Sequence, residues 1–467
     1  MANITTWAEL AGMTLDGDHV LMNDLGPSSA GYDTYASSSA NEGAGWAPIG
    51  SSSPFFTGSF DGQGYTISGL YINRPATRHV GLFSWPDGAT IRNVTLADVS
   101  VTGLSETGGL AGEADECTIE DCYVSGNVEG GDYVGGLIGD AWRGTINRCG
   151  SSAVVTGDDY DTGGLIGLAR SVVHIADSWA TGEVTSTNYR RTGGFVGYLW
   201  GDGASITRCW ATGDVIGESH VGGFAGVLSG GTVTECYSTG NAEGTSTTWN
   251  GYVGGFVGIA GDNLLVERSY STGNATAPDI TWAAGGFAGE LYGSGASAVD
   301  CYARGNVNAP SADAVGGFVG TVNDATVTNC LSTGHVVGGA SDVGGLVGEN
   351  DGGTVTNSFW DTETSGMAAS DSGTGKTTAE MKDIASFTEW NIAGTTTDLN
   401  NGYPFLSWQL GNSPTWLIPE ELILPAATDR DIVALQALRN IEMSAMGRIY
   451  VDEEGNLCYE NRYSRQA

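Results

Sequence analysis

GYVGGFVG, residues 251–258, contains a six-letter word that decides the fold of this chain. In each copy, two glycines precede Leu or Phe, which is followed by a small or aliphatic residue and a third glycine. The nine copies end at Gly112, Gly139, Gly167, Gly197, Gly226, Gly258, Gly289, Gly320 and Gly348. The apolar residue after each glycine pair recurs every 27 to 32 residues. Such a period is typical of repeat proteins, in which each unit buries its apolar face against its neighbours.

The second half of each repeat indicates what the unit is. TIEDCYVSGNV (118–128), SITRCWATGDV (205–215) and TVTNCLSTGHV (326–336) alternate β-branched and polar residues and are bounded by Gly, Asn or Asp. This pattern is typical of short strands and turns. The sequence therefore predicts an all-β, parallel β-solenoid of about ten coils, with 27–32 residues in each. In this fold the apolar residue of the word points inward, and the glycines allow tight corners and close approach of coils.

When the alternating segments of successive coils are aligned, one position holds a polar residue in every coil, and we call such a set of equivalent positions a column. Its members are Asn93, Asp121, Arg148, Asp177, Arg208, Glu235, Arg268, Asp300, Asn329 and Asn357. From Asp121 to Asp300 the sign of the charge alternates over seven successive coils. Because neighbouring parallel strands lie about 4.8 Å apart, each charge is expected to lie between two opposite charges. This charge ladder predicts the register of the array and a structural role for its members.

The next column holds six of the eight cysteines, as three pairs on adjacent coils. The pairs are Cys122 with Cys149, Cys209 with Cys236, and Cys301 with Cys330. Small inward side chains in a narrow core are the favoured interpretation. Coil-to-coil disulfides are the alternative, because the spacing of adjacent coils fits the Cα separation of a disulfide. The following column predicts an aromatic ladder used for packing: Tyr123, Trp179, Trp210, Tyr237, Tyr270 and Tyr302.

The composition argues against several classes of partner. The chain has 467 residues and a net charge of −36, with only two lysines, Lys376 and Lys382. Such a surface repels phosphate backbones, so nucleic acid is not an expected partner, whereas Ca²⁺ could be attracted. No other cofactor is expected. The N-terminal MANITTWAEL lacks the basic and apolar regions of a secretion signal, and no run reaches membrane-spanning length. Membrane insertion is therefore not expected, and the cysteines are expected to begin in a reducing cytosol.

The repeated word resembles the GLUG motif, which occurs in β-solenoid regions of bacterial surface proteins and phage-encoded proteins. FTGSFDGQGYTISGLYI (56–72) is similar to the first coil of such proteins. Three segments are similar to the part that closes them, namely NSFWDTETSGM (357–367), GTGKTTAEMKD (373–383) and NNGYPFLSWQL (400–410). The resemblance covers about residues 5–410 and implies a β-solenoid in a surface or virion setting, without implying a reaction. We divide the chain into a cap with the first coil (1–78), the repeats (79–358), a closing segment (359–418) and a linker with a small module (419–467).

The C-terminal module differs in kind from the repeats. TDRDIVALQALRNIEMSAMGR (428–448) has a capping residue, apolar residues at helical spacing and a glycine near its end, and predicts a helix. RIYVDEEGNLCYENR (448–462) predicts a β-hairpin. This helix-plus-hairpin is similar to modules of tail-tip proteins from long-tailed phages. The similarity implies that residues 420–467 attach the chain to other virion proteins or to further copies of itself.

No catalytic or metal-binding residue is predicted. The stretch around Lys376 lacks the first glycine of a phosphate loop, because Ser370 occupies that position. The histidines lie on distant coils, and no Cys or His set has zinc-ligand spacing.

A row of rings lies in the loops just before the glycine corners of consecutive coils: Tyr133, Tyr160, Tyr189, His220, Trp249 and Trp282. Solenoid loops usually carry function, so the five Tyr and Trp side chains are predicted to stack on a host surface glycan. The alternative is that these rings fold back and cover the corners. Asp159 with Asp161 could supply the two carboxylates of a glycosidase, although Asp-rich loops are more often solvated turns.

These observations favour a structural and adhesive protein over an enzyme. The leading hypothesis is a phage tail or fibre component, made in the host cytoplasm, released by lysis and displaying its acidic solenoid on the virion. The alternative is an adhesin on a bacterial cell surface, and the third is a polysaccharide-degrading enzyme. The glycan, the oligomeric state, the handedness of the solenoid and the organism are not predicted.

Overall fold

The computed structural model describes residues 2–188, 191–246, 251–278, 282–339, 341–393, 400–411, 447–451 and 457–461. The chain divides into two compact units, Met1–Pro404 and Phe405–Ala467. The first unit holds the predicted parallel β-solenoid, so the predicted fold class is confirmed. None of the helices in the described ranges is long and apolar enough to cross a membrane.

Two sets of strands run along the solenoid, and every strand pairs in parallel with its equivalent on the next coil. The first sheet follows the glycine corner of each coil. Its 18 strands are Ala2–Ile4, Asp18–Leu21, Ser59–Asp61, Thr90–Arg92, Ala111–Asp115, Thr118–Glu120, Ile138–Asn147, Ile166–Ala176, Val196–Trp200, Ser205–Thr207, Ala225–Thr234, Val257–Glu267, Ala288–Tyr292, Ser297–Val299, Val319–Asn323, Thr326–Thr328, Val347–Asp351 and Thr354–Thr356.

The second set wraps the rest of each coil, from the cysteine column to the next glycine corner. Its strands are Thr66–Ser68, Tyr71–Val80, Thr95–Gly108, Tyr123–Gly130, Asp132–Gly135, Gly150–Ser151, Val154–Gly157, Thr162–Gly163, Trp179–Ala180, Val184–Ser186, Arg191–Gly193, Trp210–Ala211, Val215–Gly217, His220–Gly222, Tyr237–Ser238, Ala242–Gly244, Tyr252–Gly254, Tyr270–Ser271, Ala275–Thr276, Ala283–Gly285, Tyr302–Ala303, Val307–Asn308, Ala314–Gly316, Leu331–Ser332, Val336–Val337, Val343–Gly344, Phe359–Asp361 and Thr374–Lys376.

The apolar residue of the word builds the centre of the core. Phe195, Phe224, Phe256, Phe287 and Phe318 are at most 1% exposed and stack with ring centroids 4.7 to 4.9 Å apart. This spacing equals the distance between neighbouring strands, so each ring packs on the ring of the next coil. The prediction that this residue points inward is confirmed.

The glycines of the word are required because there is no room for a Cβ at their positions. A Cβ built on Gly258 would lie 2.7 Å from the carbonyl oxygen of Gly226 and 2.8 Å from the backbone nitrogen of Val221. The first two glycines of the same word also face backbone, and none of the three has a left-handed φ. The strands before and after each corner therefore press backbone against backbone, which only a residue without a side chain permits.

The left-handed backbone lies instead at the charge ladder. All ten ladder residues, from Asn93 to Asn357, have φ between 46° and 58°. Each forms a one-residue corner between a strand of the first sheet and the cysteine column. Arg148 donates to both carboxylate oxygens of Asp121 at 2.9 and 2.7 Å, and Arg208 donates to Asp177 at 2.7 Å through two nitrogens. The predicted register and alternation of charge are confirmed.

The cysteine column forms a second ladder, of hydrogen bonds. The seven cysteines in the described part of the chain are buried, free thiols. Where serine replaces cysteine, its hydroxyl bridges two backbone groups: Ser178 Oγ accepts from the Cys149 nitrogen at 3.0 Å and donates to the Ala176 carbonyl at 2.7 Å. Cys149 Sγ makes the equivalent contact, 3.3 Å, to the Asn147 carbonyl. The small inward side chains thus serve the backbone beside the left-handed corner, in agreement with the favoured interpretation.

Both ends of the coil stack are covered. At the N-terminus the helix Trp7–Ala11, with a capping box between Thr6 and Glu9, places a fully buried Trp7 against Trp46. The short helices Tyr32–Tyr35 and Ala40–Gly43 follow it.

At the other end the chain folds around a buried carboxylate. Asp361 accepts hydrogen bonds from the Tyr403 hydroxyl at 2.7 Å and the Thr378 hydroxyl at 2.9 Å. The helix Thr378–Met381, the 3₁₀ helix Ile384–Ser386 and the strand Ile392–Ala393 complete this closing segment.

The second unit contains the strand Phe405–Leu406, the helix Trp408–Gly411 and an antiparallel hairpin. The hairpin strands are Gly447–Val451 and Leu457–Asn461, with Ile449 opposite Tyr459, and the hairpin prediction is confirmed. The predicted helix over 428–448 lies outside the described residues, apart from its last two positions, which form the start of the hairpin.

Candidate functional site

The structure brings two of the predicted loop aromatics, Tyr133 and Tyr160, into contact, and it pairs Trp282 with Tyr252, which was not predicted. The rings of Tyr133 and Tyr160 lie 6.0 Å apart and are tilted by 45°. Trp282 is 46% exposed and contacts Tyr252, at 6.1 Å and a tilt of 49°. Tyr189 and Trp249 lie outside the described residues. Tyr133, Tyr160 and Tyr252 are half-buried, so Trp282 offers the most exposed ring of the two pairs to a stacking ligand.

The register shows which residues share a true column beside the word. The residue directly before each of the first six words is Glu106, Tyr133, Asp161, Arg191, His220 and Tyr252, in coil order. Tyr160 and Trp282 each precede this pre-word column by one residue. The described aromatics therefore occupy two adjacent positions, and Asp161 and Arg191 separate Tyr133 from His220 in the pre-word column.

A post-word column lies against the pre-word column. It consists of the residue directly after each word: Glu113, Asp140, Leu168, Tyr198, Val227, Ile259, Glu290, Thr321 and Glu349. The two columns meet because the last glycine of each word packs on the backbone of the preceding coil. His79, one coil before Glu106, lies 3.3 Å from Glu113 across this contact.

The first coils of these columns contain a buried ionic network. The side chains of Glu106, Glu113 and Asp140 belong to residues that are at most 4% exposed. Arg170 bridges two of them, at 2.7 Å from Asp140 and 3.2 Å from Glu113. Arg78 pairs with Glu106. Three carboxylates thus share two guanidinium groups and the His79 imidazole.

Burial dominates the electrostatics of Asp140. Removal from water raises the pKa of this carboxyl to about 7, although the hydrogen bond and charge of Arg170 oppose the rise. The nearby Glu113 and Glu106 charges raise the pKa further. The network therefore takes up a proton near neutral pH.

The two carboxylates considered for a glycosidase lie in different environments. Asp159 is exposed, whereas Asp161 is fully buried and accepts a hydrogen bond from Arg191 Nε at 2.6 Å. The guanidinium of Arg191 also lies 3.8 Å from the ring centroid of Tyr198. Asp161 therefore orients Arg191 beside an aromatic ring and is not exposed next to Asp159.

The predicted packing ladder is distinct from these aromatics. The rings of Trp179, Trp210, Tyr237, Tyr270 and Tyr302 stack at 4.7 to 6.0 Å with interplanar angles of 2° to 12°. These five rings cover one another and pack coil on coil, as predicted. Tyr123, the sixth predicted member, is separated from Trp179 by Gly150, and its hydroxyl lies 2.6 Å from Ser152 Oγ.

Within the part of the chain that the structure describes, no group of three or more His, Cys, Asp or Glu side chains could hold a metal ion. Binding of Ca²⁺ stays a prediction. The network residues Glu106, Glu113, Asp140 and Arg170 were not singled out by the sequence analysis. Glu106, Glu113 and Asp140 each lie directly beside a copy of the repeated word, and Arg170 lies three residues after the third copy, so position relative to the word is the signal that identifies them.

Comparison with known proteins supports the repeat assignment. Residues 103–129 and 188–216 match the family described as the GLUG motif. A stretch of 97 residues, 20% of this chain, is 42% identical to halomucin of Haloquadratum walsbyi and covers 1% of it. A stretch of 61 residues, 13% of this chain, is 39% identical to a protein of Evansella cellulosilytica provisionally named a Gly-rich membrane protein, and covers 7% of it. The chain thus spans a small part of both relatives.

One solved structure is similar in outline. It is a Bacteroides ovatus protein provisionally described as an immunoglobulin A1 protease, 19% identical, with a TM-score of 0.36. The similarity covers 56% of this chain and 86% of that one. A likeness of this size transfers neither activity nor substrate.

Proposed function

We propose that this chain, which resembles GLUG-motif proteins in its repeats, is an adhesive β-solenoid displayed at a cell surface. In this proposal the solenoid is a rigid support, and the aromatic side chains beside the glycine corners bind surface glycans. The single observation that carries the proposal is the exposed Trp282 tilted against the half-buried Tyr252, with the half-buried Tyr133 and Tyr160 as a second tilted pair. Aromatic faces bind the apolar faces of sugar rings, and solenoids carry function on such lateral side chains.

The names of the relatives favour the cell-surface setting over the virion setting. One match is to a mucin-like name and the other to a membrane protein. The virion location, the attachment role of residues 420–467 and partnership with other virion proteins stay predictions without support from these matches. Hydrolysis of a polysaccharide also stays a prediction; new reducing ends on incubation with a bound glycan, lost in Asp159→Asn, would establish it.

A polysaccharide-binding assay tests the proposal. The full chain is applied to surfaces coated with purified polysaccharides from bacterial and archaeal cells, and retention is measured by biolayer interferometry. We expect retention on at least one polysaccharide, weakened about fivefold by Trp282→Ala and by Tyr133→Ala with Tyr160→Ala, because an aromatic contact is worth about 1 kcal/mol.

Tyr65 supplies a matched control, since it is 38% exposed and lies in the N-terminal region away from the glycine corners. Tyr65→Ala should bind as the wild type does. Retention of the wild type on none of the polysaccharides would overturn the adhesive function.

A further inference from the structure

We propose that the coils between Val196 and Tyr292 carry a binding site for neutral pyranose sugars, formed by an aromatic patch of Tyr198, Trp200, Tyr252 and Tyr292 around Val227 and Ile259. The inference rests on the proposed adhesive function and names the site and the chemical class of its ligand. Trp200, Tyr198 and Tyr292 were not among the predicted binding residues.

The register places a low apolar surface between two aromatic borders. In the post-word column, Tyr198 is followed on successive coils by Val227, Ile259 and Glu290. Val227 and Ile259 are 8% and 9% exposed, so they reach the surface without projecting from it. Two coils of short aliphatic side chains thus separate a tyrosine from a carboxylate, over a span of about 14 Å for three coil steps.

The position two residues further along the strand repeats this pattern. Trp200 is followed in register by Ser229, Gly261 and Tyr292. Trp200 is 56% exposed, the largest exposed fraction among the large hydrophobic side chains of the described residues. The Tyr292 ring lies on Gly261, where a Cβ would overlap it, and its hydroxyl donates to Asp262 at 3.2 Å. This row of the patch therefore has a ring at each end, with the Tyr292 ring covering Gly261 and Ser229 lying between the two rings.

Polar groups border the patch on the side of the pre-word column. The Tyr252 hydroxyl donates a hydrogen bond to Glu290, which also accepts from the Asn323 amide. His220 lies on the other side of Tyr252, with ring centroids 5.6 Å apart. Sugar recognition combines aromatic stacking with a few fixed donors and acceptors for hydroxyl groups, and this arrangement provides both.

The charge of the site selects against anionic sugars. Arg191 lies over the Tyr198 ring, and its charge is balanced by the buried Asp161. Glu290 and Asp262 contribute negative charge at the opposite end, and the chain as a whole carries a net charge of −36. Uronate or sialate groups would be repelled, so neutral hexose units fit this site best.

Titration calorimetry with the full chain tests the site. The probes are maltotetraose, cellotetraose and mannotetraose, with tetragalacturonate as the acidic counterpart. We expect binding of at least one neutral tetrasaccharide and binding of tetragalacturonate at least tenfold weaker. Trp200→Ala and Glu290→Gln should each weaken binding about fivefold or more, whereas Tyr65→Ala should leave it unchanged.

The variants separate failure of this site from failure of the adhesive function. Trp200 is exposed, so its truncation should leave the melting temperature near that of the wild type, which circular dichroism would check. Wild-type affinity in both Trp200→Ala and Glu290→Gln overturns the site. Retention on a polysaccharide without binding of any neutral tetrasaccharide also overturns the site while the adhesive function stands. If the wild type binds no glycan in either experiment, both the proposed site and the adhesive function are overturned.

Discussion

The residues of the charge ladder, which directly precede the cysteine column, combine a left-handed backbone with a charge that alternates in sign from coil to coil. A left-handed φ costs roughly 1 kcal/mol or more for a residue other than glycine, and Asn and Asp adopt it most readily. Arg148, Arg208 and Arg268 adopt it as well, with φ of 52°, 53° and 48°. Their guanidinium groups extend to the acidic residue of the preceding coil. The contact between coils offsets the unfavourable backbone, which explains why glycine does not occupy this corner.

Reversing one charge of the ladder should destabilise the solenoid. Arg208→Glu would place three acidic side chains in a row at Asp177, 208 and Glu235, about 4.8 Å apart along the ladder. We expect a loss of ~1–2 kcal/mol in the free energy of unfolding, measured by urea denaturation, because like charges on neighbouring strands repel. Adding Asp177→Arg reforms an opposite-charge contact between positions 177 and 208 but places a second cation beside Arg148, so it should restore little of the loss. An unchanged denaturation midpoint in the single variant would contradict the ladder.

A methyl group on the last glycine of a word should be costly. In Gly258→Ala the new Cβ would press on backbone atoms of Gly226 and Val221, which cannot move without shifting a neighbouring coil. We expect a loss of about 1–3 kcal/mol by thermal and urea unfolding, the range typical of overpacked cores. Gly203→Ala is the control, since the atoms nearest its Cβ belong to the exposed Val172 side chain and not to backbone. Equal stability of the two variants would show that lack of room for a Cβ does not explain why glycine recurs at this position of the word in this chain.

Among the strands, the sequence predicts the features that repeat from coil to coil. It does not predict the side-chain contacts between the strand before a glycine corner and the strand after it. Alternating charge from Asp121 to Asp300 determines the register, and the inward Leu or Phe determines the core. Loop lengths before the corner vary, however, so counting along the sequence placed Asp161 in an exposed loop. Its burial beneath Arg191 depends on how closely the strands before and after the corner approach. That distance depends on three-dimensional packing of glycine on backbone, which no sequence spacing encodes.

The ionic network beside the first words should make stability depend on pH. Because the pKa of Asp140 is raised to about 7, the folded chain binds a proton that the unfolded chain releases above pH 4. Stability from this group is therefore present at low pH and is lost as pH rises from about 4 through 7. Asp140→Asn removes this titration, and should gain on the order of 2–4 kcal/mol relative to the wild type at pH 8 compared with pH 5.

The charged groups that face Asp140 are Arg170, Glu113 and Glu106. Asp98→Asn is the matched control, because Asp98 is exposed and the substitution changes the net charge by the same amount. Melting temperatures of the wild type and both variants, measured between pH 5 and pH 8, give the comparison. A difference between Asp140→Asn and the wild type that does not change with pH would contradict the assignment of the proton to this carboxyl.

For the whole molecule, the distribution of charge matters more than any one pair. The chain has 54 acidic and 18 basic Lys and Arg residues, and many of the arginines in the coils are bound to acidic residues of a neighbouring coil. The arginines therefore connect coils, and exposed acidic residues such as Glu129 and Glu243 carry part of the excess negative charge on the surface. Net charge of this size opposes compaction through self-repulsion while keeping an array of strands soluble.

Added salt should stabilise the chain. Raising NaCl from 0.01 M to 1 M shortens the Debye length from about 30 Å to about 3 Å, which screens repulsion among dispersed surface charges more than it weakens ion pairs in contact. We expect the melting temperature to rise by several degrees, measured by differential scanning calorimetry at pH 8. Glu129→Lys with Glu243→Lys changes the net charge from −36 to −32, since two reversals add four charges, and should reduce the rise. Both side chains are exposed, so the substitutions leave the core intact. A melting temperature that falls with salt would mean that coil-to-coil ion pairs outweigh the repulsion, and the reversed variant would then fall in the same way.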